Sequence, residues 1–195
     1  MKRVMLVGIG ESYYTGAFFQ RACESLGISY EFVNEWDYLR GLANSKLHKL
    51  VYRLLKRPLT YAALNRAVIM RAREFRPESV LFNKGMFIAP RTLVQVKYDS
   101  GAWLVNYAAD DPFNPVNSTR DLLSGISHYN LYACTKRAIM PDVLRAGCSH
   151  VEFVPFGYEP DVRGARTREE PTGIEISEII KGQCFHVAVG PVAEG

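Results

Sequence analysis

No apolar run in the chain approaches the ~20 residues that a bilayer-spanning helix needs, which excludes a helical span within it. No C-x-x-C pair occurs either. Cys23, Cys134, Cys148 and Cys184 are scattered, so zinc spacing is absent and the four read as small, reduced, buried thiols. The opening MKRVMLVGIGES has two basic residues and an apolar run, but the run is too short for a signal peptide. Gly8-Ile9-Gly10-Glu11 reads instead as a strand-to-loop passage, and the protein is expected in the cytoplasm. Acidic residues are scarce in one region. Between Arg40 and Arg76 lie ten of the 24 basic residues, with Glu74 the only acid.

What is present is a soluble, globular composition, 48 % apolar and 23 % charged over 195 residues. That length suits one domain of ordinary size plus a remainder. Strand and helix signals alternate from the start. Residues 3–7 are aliphatic and read as a first strand, followed by Gly8-x-Gly10 and a helix over 15–26, with Ala17, Phe18, Ala22 and Leu26 at helical spacing. Further strands are expected at 29–34, 79–83, 102–107, 131–135 and 151–155. Helices are expected at 45–56, 59–75, from Pro90 to about 98, 119–127 and 136–146, where Pro141 marks a kink or the true start. Ser118 or Thr119 is the expected cap of the helix at 119–127. Short connections between alternating elements predict an α/β, Rossmann-like parallel sheet of about six strands with helices on both faces.

Two nucleotide readings fail on missing pieces. Gly8 and Gly10 begin a dinucleotide fingerprint, but the third glycine, Gly16, falls too late, and no acidic residue clearly ends the second strand. No cofactor is therefore expected, and the glycines are read as a tight turn open to close approach. The basic stretch has no aromatic platform or known motif beside it, so no nucleic acid is expected. Within 45–57, leucines share one helical face and lysines and arginines the rest. This predicts a helix covering the sheet with a solvated basic face, the alternative being a peripheral membrane contact.

The organising stretch is VNYAADDPFNP, residues 105–115. A buried strand there runs into Asp110 and Asp111 and stops at Pro112, as at the carboxyl edge of a parallel sheet, where open α/β folds bind ligands. The adjacent carboxylates face opposite ways in extended chain, so one of them, Asp110 by preference, is the candidate proton acceptor. The competing reading is turn chemistry before proline. Lys84 and Gly85 end the third strand and suit an anionic group, or Lys84 is a solvated loop charge. His128 and His150 fall on the amino side of their strands, where surface or packing roles are expected.

FNKG at 82–85, NYAADDPFNP at 106–115, CTKR at 134–137 and VEFVPFGYEPDV at 151–162 together resemble the N-terminal half of a GT-B-fold glycosyltransferase, of the spore-maturation (CgeB-like) group. HVAVGPVAEG at 186–195 is similar to the opening of that family's second domain. The resemblance implies an acceptor-side domain over 1–162, a linker over 163–185 and the first strand of a truncated second domain over 186–195. It implies transfer of a sugar from a nucleotide-diphosphate donor to a carbohydrate or other hydroxyl acceptor, without a bound metal, and inactivity without the donor-binding half. It also implies Asp110 and Asp111 as catalytic candidates, and Gly8, Gly10, Glu11, Lys84, Gly85 and Tyr158 as substrate contacts. The alternative is a flavodoxin-like binding module for a small anionic ligand or a protein partner.

Overall fold

The computed structural model describes residues 3–11, 14–39, 45–158 and 174–175. Strand β1 (Arg3–Gly8) shows the rule that builds the molecule. Side chains alternate across a strand, yet Val4, Met5, Leu6 and Val7 are all at most 2 % exposed. A strand apolar on both faces requires cover on both, as parallel sheets receive. After α1 (Thr15–Ser25) and β2 (Ser29–Asn34) come α2 (Trp36–Leu39), α3 (Lys46–Leu55) and α4 (Tyr61–Phe75). The chain continues through β3 (Ser79–Asn83), α5 (Pro90–Ser100), β4 (Trp103–Ala108), α6 (Arg120–Gly125), β5 (Leu131–Cys134), α7 (Met140–Arg145) and β6 (Val151–Phe153).

These strands form one six-stranded sheet, ordered β2-β1-β3-β4-β5-β6, and every pairing in it is parallel. The chain leaves β1 in one direction, crosses back to β3, and then moves steadily outward. Right-handed crossovers therefore put α1 on one face and the later helices on the other. The core divides accordingly. Phe19, Ala22 and Cys23 of α1 pack with Val4, Leu6, Leu81, Val105 and Tyr107. Leu64, Val68 and Ala72 of α4, with Leu93 and Val96 of α5, cover Met5, Val7, Val80, Phe82 and Leu104. The fold is α/β and Rossmann-like.

Local chemistry sets the helix ends. Thr119 is the cap of α6, its Oγ1 accepting from the Leu122 amide at 3.1 Å. Pro141 lies in the first turn of α7, preceded by a 3₁₀ turn at Arg137–Ile139, so it marks a start and not a kink. One expectation is overturned. Helix α3 does not cover the sheet, for none of its residues is buried. Its leucines face outward because α4 and α5 already fill the space over the central strands.

A small pair of strands, β7 (Gly157–Tyr158) and β8 (Ile174–Glu175), is parallel and separate from the main sheet. Thus part of the expected linker over 163–185 is paired, while 186–195 lie outside the described residues, as does Cys184. Cys23, Cys134 and Cys148 are free and buried, and burial pushes the thiols of Cys23 and Cys134 up to about 12.

A buried amide fastens α4 to the start of α5. Asn65, 4 % exposed, donates to the carbonyls of Tyr61 and Phe87 and accepts from the Ala89 amide and Thr92 Oγ1, at 2.7–2.9 Å. Asn65→Ala strands the Phe87 carbonyl and the Ala89 amide and should cost about 2–4 kcal/mol in denaturant unfolding. The exposed neighbour change Arg66→Ala should cost under about 0.5 kcal/mol. Equal losses would deny the fastening role.

Candidate functional site at the carboxyl rim

Strand order reverses between β1 and β3, and crevices for ligands open at such a switch point beyond the carboxyl ends of the strands. The register puts Gly8 level with Asn34 and Asn83 level with Tyr107, so the loops after β1, β2, β3 and β4 meet there. Gly8, Gly10, Glu11, Lys84, Gly85, Asp110 and Asp111 all belong to these loops or strand ends. For Tyr158 only the backbone pairing in β7 is described.

The β1 loop is tied to the end of β2. The Glu35 amide donates to the Gly8 carbonyl at 2.8 Å. Asn34 Oδ1 accepts from the amides of Gly10 and Trp36, each at 3.2 Å. Space around the glycines is taken by the protein itself. A Cβ on Gly8 would lie 2.9 Å from Asn83 Cβ, and one on Gly10 would lie 2.5 Å from the Phe32 ring. The close backbone approach belongs to Gly16, where a Cβ would lie 2.4 Å from the Ile9 carbonyl oxygen. Gly16 thus lets α1 seat against the β1 loop despite its late position in the sequence. The Glu11 carbonyl accepts from the Tyr14 amide at 2.8 Å, which turns the loop toward α1.

After β3 the backbone enters the left-handed region at two successive residues, Lys84 (φ 74) and Gly85 (φ 64). The lysine costs roughly 1–2 kcal/mol there, offset by two backbone bonds to β4. Its amide donates to the Tyr107 carbonyl at 3.0 Å, and its carbonyl accepts from Asn106 Nδ2 at 3.0 Å. Gly85 must be glycine, since a Cβ would lie 2.7 Å from the Tyr129 hydroxyl. This turn directs the Lys84 ammonium across the rim, where it donates to Asp110 Oδ2 at 2.9 Å and Asn117 Oδ1 at 3.3 Å.

The two aspartates do different work. Asp110 faces Lys84, with its side chain 46 % exposed. Asp111 Oδ1 accepts from the Phe113 amide at 2.9 Å, an Asx turn that starts the loop after β4. Thr135 Oγ1 holds the start of that loop, donating to the carbonyls of Ala108 and Ala109 at 3.0 and 3.1 Å.

Beneath Lys84 lies a carboxyl that the sequence reading passed over. Glu35 directly follows β2 and is 5 % exposed, with Oε1 buried and without a hydrogen-bond partner. It stands immediately after the second strand, where no acidic residue was expected to end the strand clearly. Burial pushes its carboxyl up to about 7, against the opposing pull of the Lys84 charge. Asn106, fully buried, likewise has an unpartnered Oδ1. Burial raises the Tyr129 hydroxyl too, and the Glu35 charge adds to it. Two orphaned acceptors beside a cation make this rim polar and sensitive to protonation.

Surface grooves lie elsewhere. One of ≈ 670 Å³ runs along α4, with Tyr38, Ala67 and Met70 beside Arg66, Arg71 and Glu74 in its lining. Another of ≈ 600 Å³ is at the amino ends of the strands and includes His128 and His150. There His150 Nε2 meets Glu152 Oε1 at 2.9 Å, a pairing role on the side of the sheet away from the rim. Neither groove includes Lys84, Asp110, Asn106 or Glu35. Among the described residues no group of three or more His, Cys, Asp or Glu could hold a metal ion, and no helix is long and apolar enough to cross a membrane.

No family model matches the chain, and no curated protein matches it. A solved structure that resembles it is a protein from Xanthomonas campestris pv. campestris assigned as a hydrolase of the alpha/beta superfamily, with 12 % identity, covering 83 % of this chain and 91 % of that one, at a TM-score of 0.45. A likeness at that level carries no chemistry across.

Glu35 should impose a pH dependence on folding. Below its ordinary value of 4.5 both states hold the proton and nothing is lost. Between about 4.5 and 7 the unfolded chain releases the proton and the folded one keeps it, so stability falls as pH rises. Above that window the full cost applies, about 3 kcal/mol for such a shift. Glu35→Gln should therefore flatten the slope and be more stable than wild type at pH 8 by roughly 1–3 kcal/mol. Parallel stability curves from pH 4 to 8 would contradict the protonated carboxyl.

Proposed function

We propose that the chain is the acceptor-side domain of a glycosyltransferase, moving a sugar from a nucleoside diphosphate donor to an acceptor hydroxyl. One observation carries the reading. FNKG and NYAADDPFNP, two of the stretches that resemble GT-B enzymes, converge at the rim through the 2.9 Å contact of Lys84 Nζ with Asp110 Oδ2.

The reaction forms a bond from the acceptor oxygen to the anomeric carbon and breaks the bond to the diphosphate oxygen, which leaves with the electron pair. The hydroxyl proton needs an acceptor as the bond forms. Asp110 suits that role, being half-exposed and oriented by Lys84, whereas Asp111 is occupied in a turn. Glu35 does not, since it is buried and holds its proton to about pH 7. In this reading the diphosphate is gripped by a second Rossmann-like domain, to which the HVAVGPVAEG stretch belongs, and its charge is offset by helix dipoles and basic side chains without metal. We take the enzyme as cytoplasmic, on the free, buried thiols of Cys23, Cys134 and Cys148.

Amide nuclear magnetic resonance of the chain tests the assignment of sides. A panel of mono- and oligosaccharides should include ligands that shift residues 8–11, 84–86 and 106–111 saturably. UDP-glucose, GDP-mannose, UDP and GDP should leave those residues unmoved. Saturable nucleotide shifts at the rim, with none from saccharides, would favour instead a flavodoxin-like module for an anionic ligand.

A further inference from the structure

We infer that α3 is a membrane-surface helix that lays its leucine flank into the headgroup region of an anionic bilayer. Leu47, Leu50, Leu54 and Leu55 are 61, 54, 72 and 65 % exposed, and Leu59 just beyond the helix is 46 % exposed. Leu47, Leu50 and Leu54 recur at intervals of three and four and so share one face. The helix is nonetheless held to the body. The Tyr52 ring meets that of Phe87 edge-on at 6.0 Å, both ring nitrogens of His48 are buried, and Ser45 Oγ caps the first turn at 3.4 Å. Tyr52 and His48 thus define the inner side, and the leucines one outer flank.

Charge identifies what covers that flank. Lys46, Lys49, Arg53 and Lys56 form the other outer flank, and all four are exposed. None of them has a carboxylate partner among the described residues, whereas three arginines nearby do. Arg57 pairs with Asp121 at 2.6 Å, Arg71 with Glu31 at 3.1 Å and Arg73 with Asp99 at 2.6 Å. The four exposed cations of α3 thus stand together beside its exposed leucines without a carboxylate to offset them. A second copy of the helix would bring like charges together. An anionic lipid surface satisfies both flanks at once, taking apolar side chains to a depth of about 5–10 Å with the bases at the phosphates. The inference stands apart from the sugar-transfer reading, and either can fail alone.

The test is sedimentation of the whole chain with vesicles of phosphatidylcholine alone and of phosphatidylcholine with a third phosphatidylglycerol. Binding should require the anionic lipid and weaken in high salt. Leu47→Gln/Leu50→Gln/Leu54→Gln should reduce partitioning about a hundredfold or more. Each single change of Lys46, Lys49, Arg53 or Lys56 to Gln should reduce it about fivefold. Since the substituted side chains are exposed, thermal unfolding of every variant should match wild type. Absence of binding to anionic vesicles, or equal binding to both compositions, would overturn the inference. So would a wild-type dimer in sedimentation equilibrium that the leucine variant loses, which would assign the flank to a second copy.

Discussion

Parallel pairing of β1 with both β2 and β3 is the constraint on which everything else rests. With β1 in the interior, the chain must reverse direction across the sheet once, and that reversal leaves the loops after β1 and β3 diverging to opposite faces. The rim is therefore not an accident of loop sequence. Any chain with this strand order must open there, and here the opening is furnished with Lys84, Asp110, Asn106 and Glu35. The same order assigns α1 alone to one face near β1 while α4 and α5 crowd the other, which is why α3 finds no room against the sheet.

The rim combines a strained backbone with an unbalanced charge set. Lys84 holds a left-handed conformation that a glycine would adopt more cheaply, so its side chain, rather than its backbone, explains its presence. That side chain reaches Asp110 and Asn117 on the surface and acts through space on the buried Glu35. The same ammonium thus orients an exposed carboxylate and opposes the effect of burial on a second, buried one.

The fold was largely legible in the sequence because its signals are local. Aliphatic runs separated by glycine or proline punctuation named six strands, and β2 was placed at its observed bounds. What local pattern could not supply was direction. The leucine stripe of α3 has the same spacing whether it faces a sheet or solvent, and only the occupancy of the sheet by α4 and α5 decides between them. Glu35 escaped for a related reason, since it reads as a polar loop residue and only the folded chain buries it. Gly16 was set aside on spacing, although a longer loop lets a later glycine perform the same close packing. Asn65 gave no signal at all, for three of its four partners lie more than twenty residues away, at 87–92.

We propose that Asp110, and not its neighbour, faces the reacting hydroxyl. It is tested most directly by the turnover of Asp110→Asn and Asp111→Asn in an intact two-domain glycosyltransferase carrying the NYAADDPFNP stretch. Loss of the proton acceptor should lower kcat by about 10²–10⁴-fold at Asp110, with the unfolding midpoint little changed. Asp111→Asn, whose amide oxygen can still accept from the Phe113 amide, should retain kcat within a few-fold. Wild-type turnover in Asp110→Asn would contradict the account.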